Sequence, residues 1–179
     1  SDVCSSDLEE NVDSPAKLSG LIDALNSVAE NYKMPLIFST HPRTKDRISK
    51  SKLKLHKNIS SMEPFGFYDY NKLQLDSFCV LSDSGTLAEE SSILGFYGIS
   101  LRTSTERQEA INSGSFIIGG VNEQGIVQSI EMSKQMKESN EPIAAPLDYL
   151  EENVSLKIVK IIQSYTAIVN NKVWAKNNE

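Results

Sequence analysis

The residues best placed to do chemistry are Ser82-Asp83-Ser84-Gly85-Thr86, between the apolar run Phe78-Cys79-Val80-Leu81 and the helix-forming Leu87-Ala88-Glu89-Glu90. A strand that turns through small hydroxyl residues and glycine directly into a helix leaves backbone N–H groups exposed at the helix start. The aligned peptide dipoles there amount to roughly half a positive charge, so a phosphate can be held without a lysine. Gly85 lets an anion approach the backbone closely, and Ser84 and Thr86 add hydroxyl donors. The competing reading is that Ser84 only caps the helix. Glu90 lies about one and a half turns in. A carboxylate there cannot meet phosphate but can accept hydrogen bonds from sugar hydroxyls, unless it is simply a solvated surface charge.

Two other loops carry candidate groups. Arg102-Thr103-Ser104-Thr105-Glu106-Arg107-Gln108-Glu109 packs two arginines and three hydroxyls after an apolar run. That set could clamp a diphosphate, although a surface ion-paired loop looks similar. His41-Pro42-Arg43 offers an imidazole and a guanidinium, and a lone histidine is more often structural than catalytic. No G-x-G-x-x-G, G-x-x-x-x-G-K-[ST] or H-E-x-x-H occurs, and Ser82 stands where a G-x-S-x-G elbow needs glycine. These absences weaken dinucleotide, P-loop and hydrolase readings.

The elements that must position these loops follow from the apolar pattern. Ser14-Pro15 supplies an N-cap and a first-turn proline, after which Leu18, Leu21, Ile22, Leu25, Val28, Ala29 and Tyr32 share one helical face. Leu36-Ile37-Phe38, Phe78 to Leu81, Ile99-Ser100-Leu101 and Phe116-Ile117-Ile118 are short continuous apolar runs, as expected of strands buried on both faces. Each is followed by a helical stretch. Alternating strands and helices with long crossovers imply a Rossmann-like α/β fold, a parallel sheet wound on both faces. Ligands then bind beyond the carboxyl ends of the strands, where all three loops lie. Asn153 opens a last helix that keeps its period through Val154, Ile158, Ile161, Ile162, Tyr165, Ile168 and Val169, to about Val173, and 137–146 reads as a loop.

Composition narrows the class further. The chain has 179 residues and a net charge of -6, which argues against a nucleic-acid binder. Seven of the eighteen basic residues fall between Arg43 and Lys57, but no aromatic interleaves them for base stacking, so the segment reads as a solvated helix and loop. No apolar run is long enough to cross a bilayer and no signal-peptide pattern is present, so no membrane partner and a cytoplasmic location are expected. Cys4 and Cys79 cannot build a disulfide framework or a zinc site, and no metal is expected. Ser1 to Leu8 lacks both helical period and alternation, and DVCSSDL resembles the translation of a sequencing adapter. Residues 1–8 are therefore expected to be foreign or disordered, and 9–179 to form one domain that includes the long last helix.

Taken together, THPRT, LSDSGTLAEES and RTSTERQEA resemble, in order and spacing, the non-hydrolysing UDP-N-acetylglucosamine 2-epimerases. The likeness runs from Glu9 to about Gly125. TSTERQEA and FYDY resemble the branch acting on UDP-linked 6-deoxy amino sugars of the N-acetylfucosamine pathway. The resemblance implies the C-terminal half of a GT-B-type enzyme that inverts sugar carbon 2 by eliminating UDP and adding it back, without a cofactor, in a parent that pairs with itself. It implies that Ser84 and Gly85, with Thr86 beside them, meet the diphosphate, that Glu90 meets the ribose, that Arg107 meets the phosphates or sugar, and that Tyr70 lies in the nucleotide region, with His41 at the neighbouring loop. The family's acid-base groups lie in the N-terminal domain, and a His-Arg pair precedes the Glu-Asn matched by Glu10-Asn11. Asp7 and Leu8 stand near that place here, so the chain by itself is expected to be inactive. Gln108 departs from a common proline. The alternative is the donor-binding domain of a GT-B glycosyltransferase, which uses the same kind of helix-start phosphate site.

Overall fold

The computed structural model describes residues 2–6 and 14–176. The expectations for Asp7, Leu8, Glu10 and Asn11 therefore fall outside the described residues. Among the described residues six strands, β1 (Asp2–Ser6), β2 (Leu36–Thr40), β3 (Ile59–Met62), β4 (Val80–Ser82), β5 (Gly98–Ser100) and β6 (Phe116–Ile118), form one sheet in the order β3-β2-β1-β4-β5-β6. Every pairing is parallel, with Val3 opposite both Ile37 and Val80, and Leu81 opposite Ile99. This is the Rossmann order, with its switch point between β1 and β4, where the direction of winding reverses.

The helices are α1 (Pro15–Tyr32), α2 (Pro42–Lys50), α3 (Phe67–Asp76), α4 (Leu87–Leu94), α5 (Gln108–Ser113), α6 (Glu123–Glu138) and α7 (Val154–Lys172). Right-handed crossovers that run outward in opposite directions from the switch point put α1 and α2 on one face and α4 and α5 on the other. The chain then returns through α6, which packs beside α1. Tyr32 donates to Glu131 at 2.7 Å and Ser27 donates to Glu123, tying the two helices together.

The α1 start matches its sequence signal: Ser14 is the N-cap, its Oγ accepting from Lys17 N, and Pro15 is the first helical residue. The stripe Leu18, Leu21, Ile22, Leu25, Val28 and Ala29 is buried against Phe38, Leu81, Ile99, Ile126 and Ile130. Strands β4 and β5 are buried at every position, as continuous apolar runs covered on both faces must be. The basic segment is a helix and loop with exposed charges, Lys50 pairing with Asp46 at 2.6 Å, and only Thr44 and Ile48 of α2 turn inward.

Two strands had no clear sequence signal. β3 carries the motif Ile-Ser-Ser-Met with Ile59 alone buried, because it is the sheet edge and needs little apolar surface. β1 falls on residues that the sequence marks as foreign or disordered, yet their backbone is extended and fills the central slot between β2 and β4. That slot offers two sets of ladder partners, which an extended segment of any compatible sequence can satisfy.

The chain divides into two compact units, Ser1–Pro146 and Leu147–Glu179, where the sequence suggested one domain over 9–179. The second unit holds a short 3₁₀ turn (Leu147–Leu150) and α7, which contains no buried residue; Ile158, Ile161, Ile162 and Tyr165 are each at least half exposed. Asn153 precedes α7 as expected, in a left-handed conformation and without a side-chain capping bond.

Candidate functional site

Because all strands are parallel, the three loops singled out by sequence share the carboxyl edge of the sheet. The loop after β4 borders the switch point, the usual ligand crevice of such folds. The loop after β5 is its neighbour. His41 follows β2, two strands from β4, roughly 10 Å away at the usual strand spacing.

The helix after β4 starts later than the residues suggested. Ser84 and Gly85 belong to a turn, Thr86 is the N-cap, and α4 begins at Leu87. The cause is local: Ser84 Oγ accepts from Thr86 N at 3.3 Å, and Leu87 N donates to Ser84 O at 3.4 Å, closing a four-residue turn before the helical ladder begins. Ser84 N is itself taken by Ser82 Oγ at 3.1 Å. With Leu87 N taken by Ser84 O, the first-turn amides of α4 that a helix leaves without an acceptor one turn back are those of Ala88 and Glu89.

The hydroxyls form a directed chain. Thr86 Oγ1 donates to Glu90 Oε1 at 2.8 Å, so its single proton is committed. In the 2.9 Å contact between Ser84 Oγ and Thr86 Oγ1, Ser84 must then be the donor. In this arrangement both hydroxyls orient Glu90. The second carboxylate oxygen of Glu90 accepts from Gln74 Nε2 of α3 at 2.6 Å. Tyr70 stands one turn before Gln74, on the same face of α3, and is partly buried.

The loop after β5 faces the same corner. A Cβ added at Gly85 would lie 3.2 Å from Glu106 Oε1 and 3.8 Å from Arg102 Nη1, so the bare glycine lets those two side chains rest close to the turn. Arg102 pairs with Glu106 at 3.2 Å. Arg107 donates from Nε to Glu89 Oε1 at 2.6 Å and lies 3.5 Å from Glu106 Oε1. Thr105 Oγ1 accepts from Arg107 N at 3.1 Å, which fixes the backbone as α5 begins. The Glu106 carboxyl is held below the usual carboxylate range, first by a hydrogen bond from its own backbone amide and then by the Arg102 charge. Two guanidiniums lie against two carboxylates, Glu89 and Glu106, so an anion has to be held by directed donors rather than by net positive charge.

Ser84, Gly85, Thr86, Glu90 and Arg107 are thus gathered at one corner, and Tyr70 joins them through the Gln74 face of α3. His41 is different: it is the exposed N-cap of α2, its Nδ1 accepting from Arg43 N at 3.4 Å. Gln74 and Glu89 were missed by sequence reasoning. Glu89 is one of an adjacent glutamate pair that the motif displays, whereas buried Gln74 has no signal beyond its phase on α3. Among the described residues no cluster of His, Cys, Asp or Glu could hold a metal ion. An apolar cavity of about 270 Å³, lined by Tyr32, Met34, Phe78, Lys134, Lys137 and Glu138, sits at the opposite, amino-terminal edge of the sheet.

Known proteins share this sequence and fold over most of the chain. The family model described as UDP-N-acetylglucosamine 2-epimerase matches residues 8–163. The UDP-N-acetylglucosamine 2-epimerase of Methanocaldococcus jannaschii is 35% identical over 132 residues, covering 72% of this chain and 36% of its own length. The structure of that organism's enzyme in complex with UDP-GlcNAc and UDP superposes with a TM-score of 0.69 at 33% identity, over 74% of this chain and 38% of the other. The UDP-N-acetylglucosamine 2-epimerase of Rickettsia bellii gives a TM-score of 0.79 at 34% identity, over 98% of this chain and 47% of the other. The chain therefore spans less than half the length of these relatives.

Proposed function

The chain belongs to the UDP-N-acetylglucosamine 2-epimerase family, and from that premise we propose that its Rossmann-like unit binds the uridine diphosphate of a UDP-N-acetyl amino sugar. In this reading it is the C-terminal, nucleotide-holding domain of a non-hydrolysing 2-epimerase. The supporting observation is the convergence, beside the switch point, of the Ser84–Thr86 turn, Glu90 and Arg107.

On this reading Gly85 and the first-turn amides of α4 receive the pyrophosphate, Arg107 adds a charge-assisted contact to it or to the sugar, and Glu90 accepts from ribose hydroxyls. Tyr70 borders the nucleotide, and His41 lines the far side of the same edge. As the bond between sugar and UDP breaks, negative charge grows on the leaving diphosphate, and donors fixed in advance stabilise that charge without reorganising. Proton transfer at sugar carbon 2 belongs to groups of the other domain. The family match supports this reading over that of a glycosyltransferase donor domain. The intact enzyme is read as a cytoplasmic homodimer acting without a cofactor.

Calorimetric titration tests the reading. UDP binds, ADP binds more weakly, and Arg107→Ala lowers UDP affinity by about 1.5–3 kcal/mol through loss of the charge-assisted contact. Unchanged affinity in that variant removes Arg107 from the site. The chain alone is expected to bind UDP but not to epimerise UDP-N-acetylglucosamine, and turnover by it in a coupled assay contradicts the division of labour.

A further inference from the structure

Gln74 occupies a position that an apolar residue would fill at less cost. It is fully buried, at 0% exposure. Its Oε1 is buried without a hydrogen-bond partner among the described residues, which is unfavourable for an amide oxygen withdrawn from water. A leucine or methionine there would bury similar volume and leave nothing unsatisfied. What glutamine adds is one interaction: Nε2 donates to Glu90 Oε2 at 2.6 Å across the gap between α3 and α4.

That bond completes a clamp. Glu90 Oε1 is held by Thr86 at 2.8 Å and Oε2 by Gln74, so both oxygens are fixed from two different elements. Glu90 is only partly buried, so the clamped carboxylate keeps an open side with further acceptor capacity. A carboxylate that must meet two vicinal hydroxyls gains from being immobilised beforehand, since its rotamer freedom is then not lost on binding.

We propose that Gln74 is a positioning residue that sets the Glu90 carboxylate to receive the ribose 2′- and 3′-hydroxyls; this rests on the nucleotide-binding reading above. Gln74 does not touch the ligand. It acts through Glu90, and its unpaired oxygen is a stability cost kept for recognition.

The test compares affinity for UDP with that for 2′,3′-dideoxyuridine diphosphate by calorimetry, together with thermal unfolding. In Gln74→Met and Gln74→Leu the preference for UDP falls about 3- to 10-fold toward unity, as expected when a hydrogen-bonded orientation is lost, while the unfolding temperature is unchanged or higher. Glu90→Ala abolishes the preference, and adding Gln74→Met to it changes nothing more, because the two act as one unit. A folded Gln74 variant that keeps the full preference overturns the proposal and leaves the Glu90 assignment standing. Failure of both Gln74 variants to fold overturns it too, since the residue would then serve stability. A preference untouched by Glu90→Ala refutes the ribose role of Glu90 and this proposal with it, and absence of UDP binding by the unaltered chain refutes the nucleotide reading as a whole.

Discussion

At the scale of single residues the corner after β4 is a set of competing pairings. Arg102 and Arg107 lie against Glu106 and Glu89, and Ser84 and Thr86 pass their protons toward Glu90. Glu106 shows the sign of these couplings. Its folded pKa is lowered by its own backbone amide and by Arg102, so its contribution to stability is present above the ordinary carboxylate value and disappears as pH falls through the lowered one. Arg102→Ala should move the Glu106 titration upward, toward the ordinary value, as followed by carbon-13 NMR of its carboxyl. Little change in overall stability should accompany this, because the Glu106 side chain is 54% exposed. The sequence displayed the hydroxyls, the glycine and the arginines of this corner. It did not display that Glu90 is held from both sides, because that depends on Gln74 of α3 and Thr86 at the N-cap of α4 reaching the same carboxylate.

At the scale of elements, the local signals that proved reliable were those with a single physical cause. Ser14-Pro15 combines a capping side chain with a first-turn proline and opens α1, and the short apolar run Phe116-Ile117-Ile118, between Gly114 and Gly119, forms β6. Signals failed where tertiary context decides, as in edge strand β3 and in the delayed start of α4, where a side-chain turn outcompetes the helical ladder. The start of α6 is equally constrained. Asn122 caps it through Gly125 N at 2.9 Å, and a Cβ at Gly125 would collide with the carbonyl oxygen of Gly119. Gly119 is itself anchored to Ser100 O at 2.9 Å, so it cannot retreat without breaking that bond. Gly125→Ala should therefore cost about 1–3 kcal/mol in chemical denaturation, even though alanine is the better helix former. In the core, Leu25→Ala removes a fully buried side chain of α1 and should cost about 2–5 kcal/mol.

At the scale of the whole molecule, the periodic stripe on α7 was legible in the sequence, but its exposure was not. Val154, Ile158, Ile161, Ile162, Tyr165 and Ile168 are all exposed, a contiguous apolar surface of a kind that soluble monomers rarely display. The chain should bind a hydrophobic dye such as ANS and associate as its concentration rises. Ile158→Glu with Ile162→Glu should reduce both effects in fluorescence and sedimentation measurements, and retention of full dye binding would place the sticky surface elsewhere.

The position of β1 has a consequence for how this polypeptide is made. It pairs on one side with β2 but on the other with β4, which starts only at Val80. At ribosomal speeds of roughly 5–20 residues per second, on the order of 4 to 15 seconds separate synthesis of the first strand from that of its second neighbour. Over that interval β1 is paired on one side at most, so the central β1–β4 ladder cannot close before residue 82 has been made.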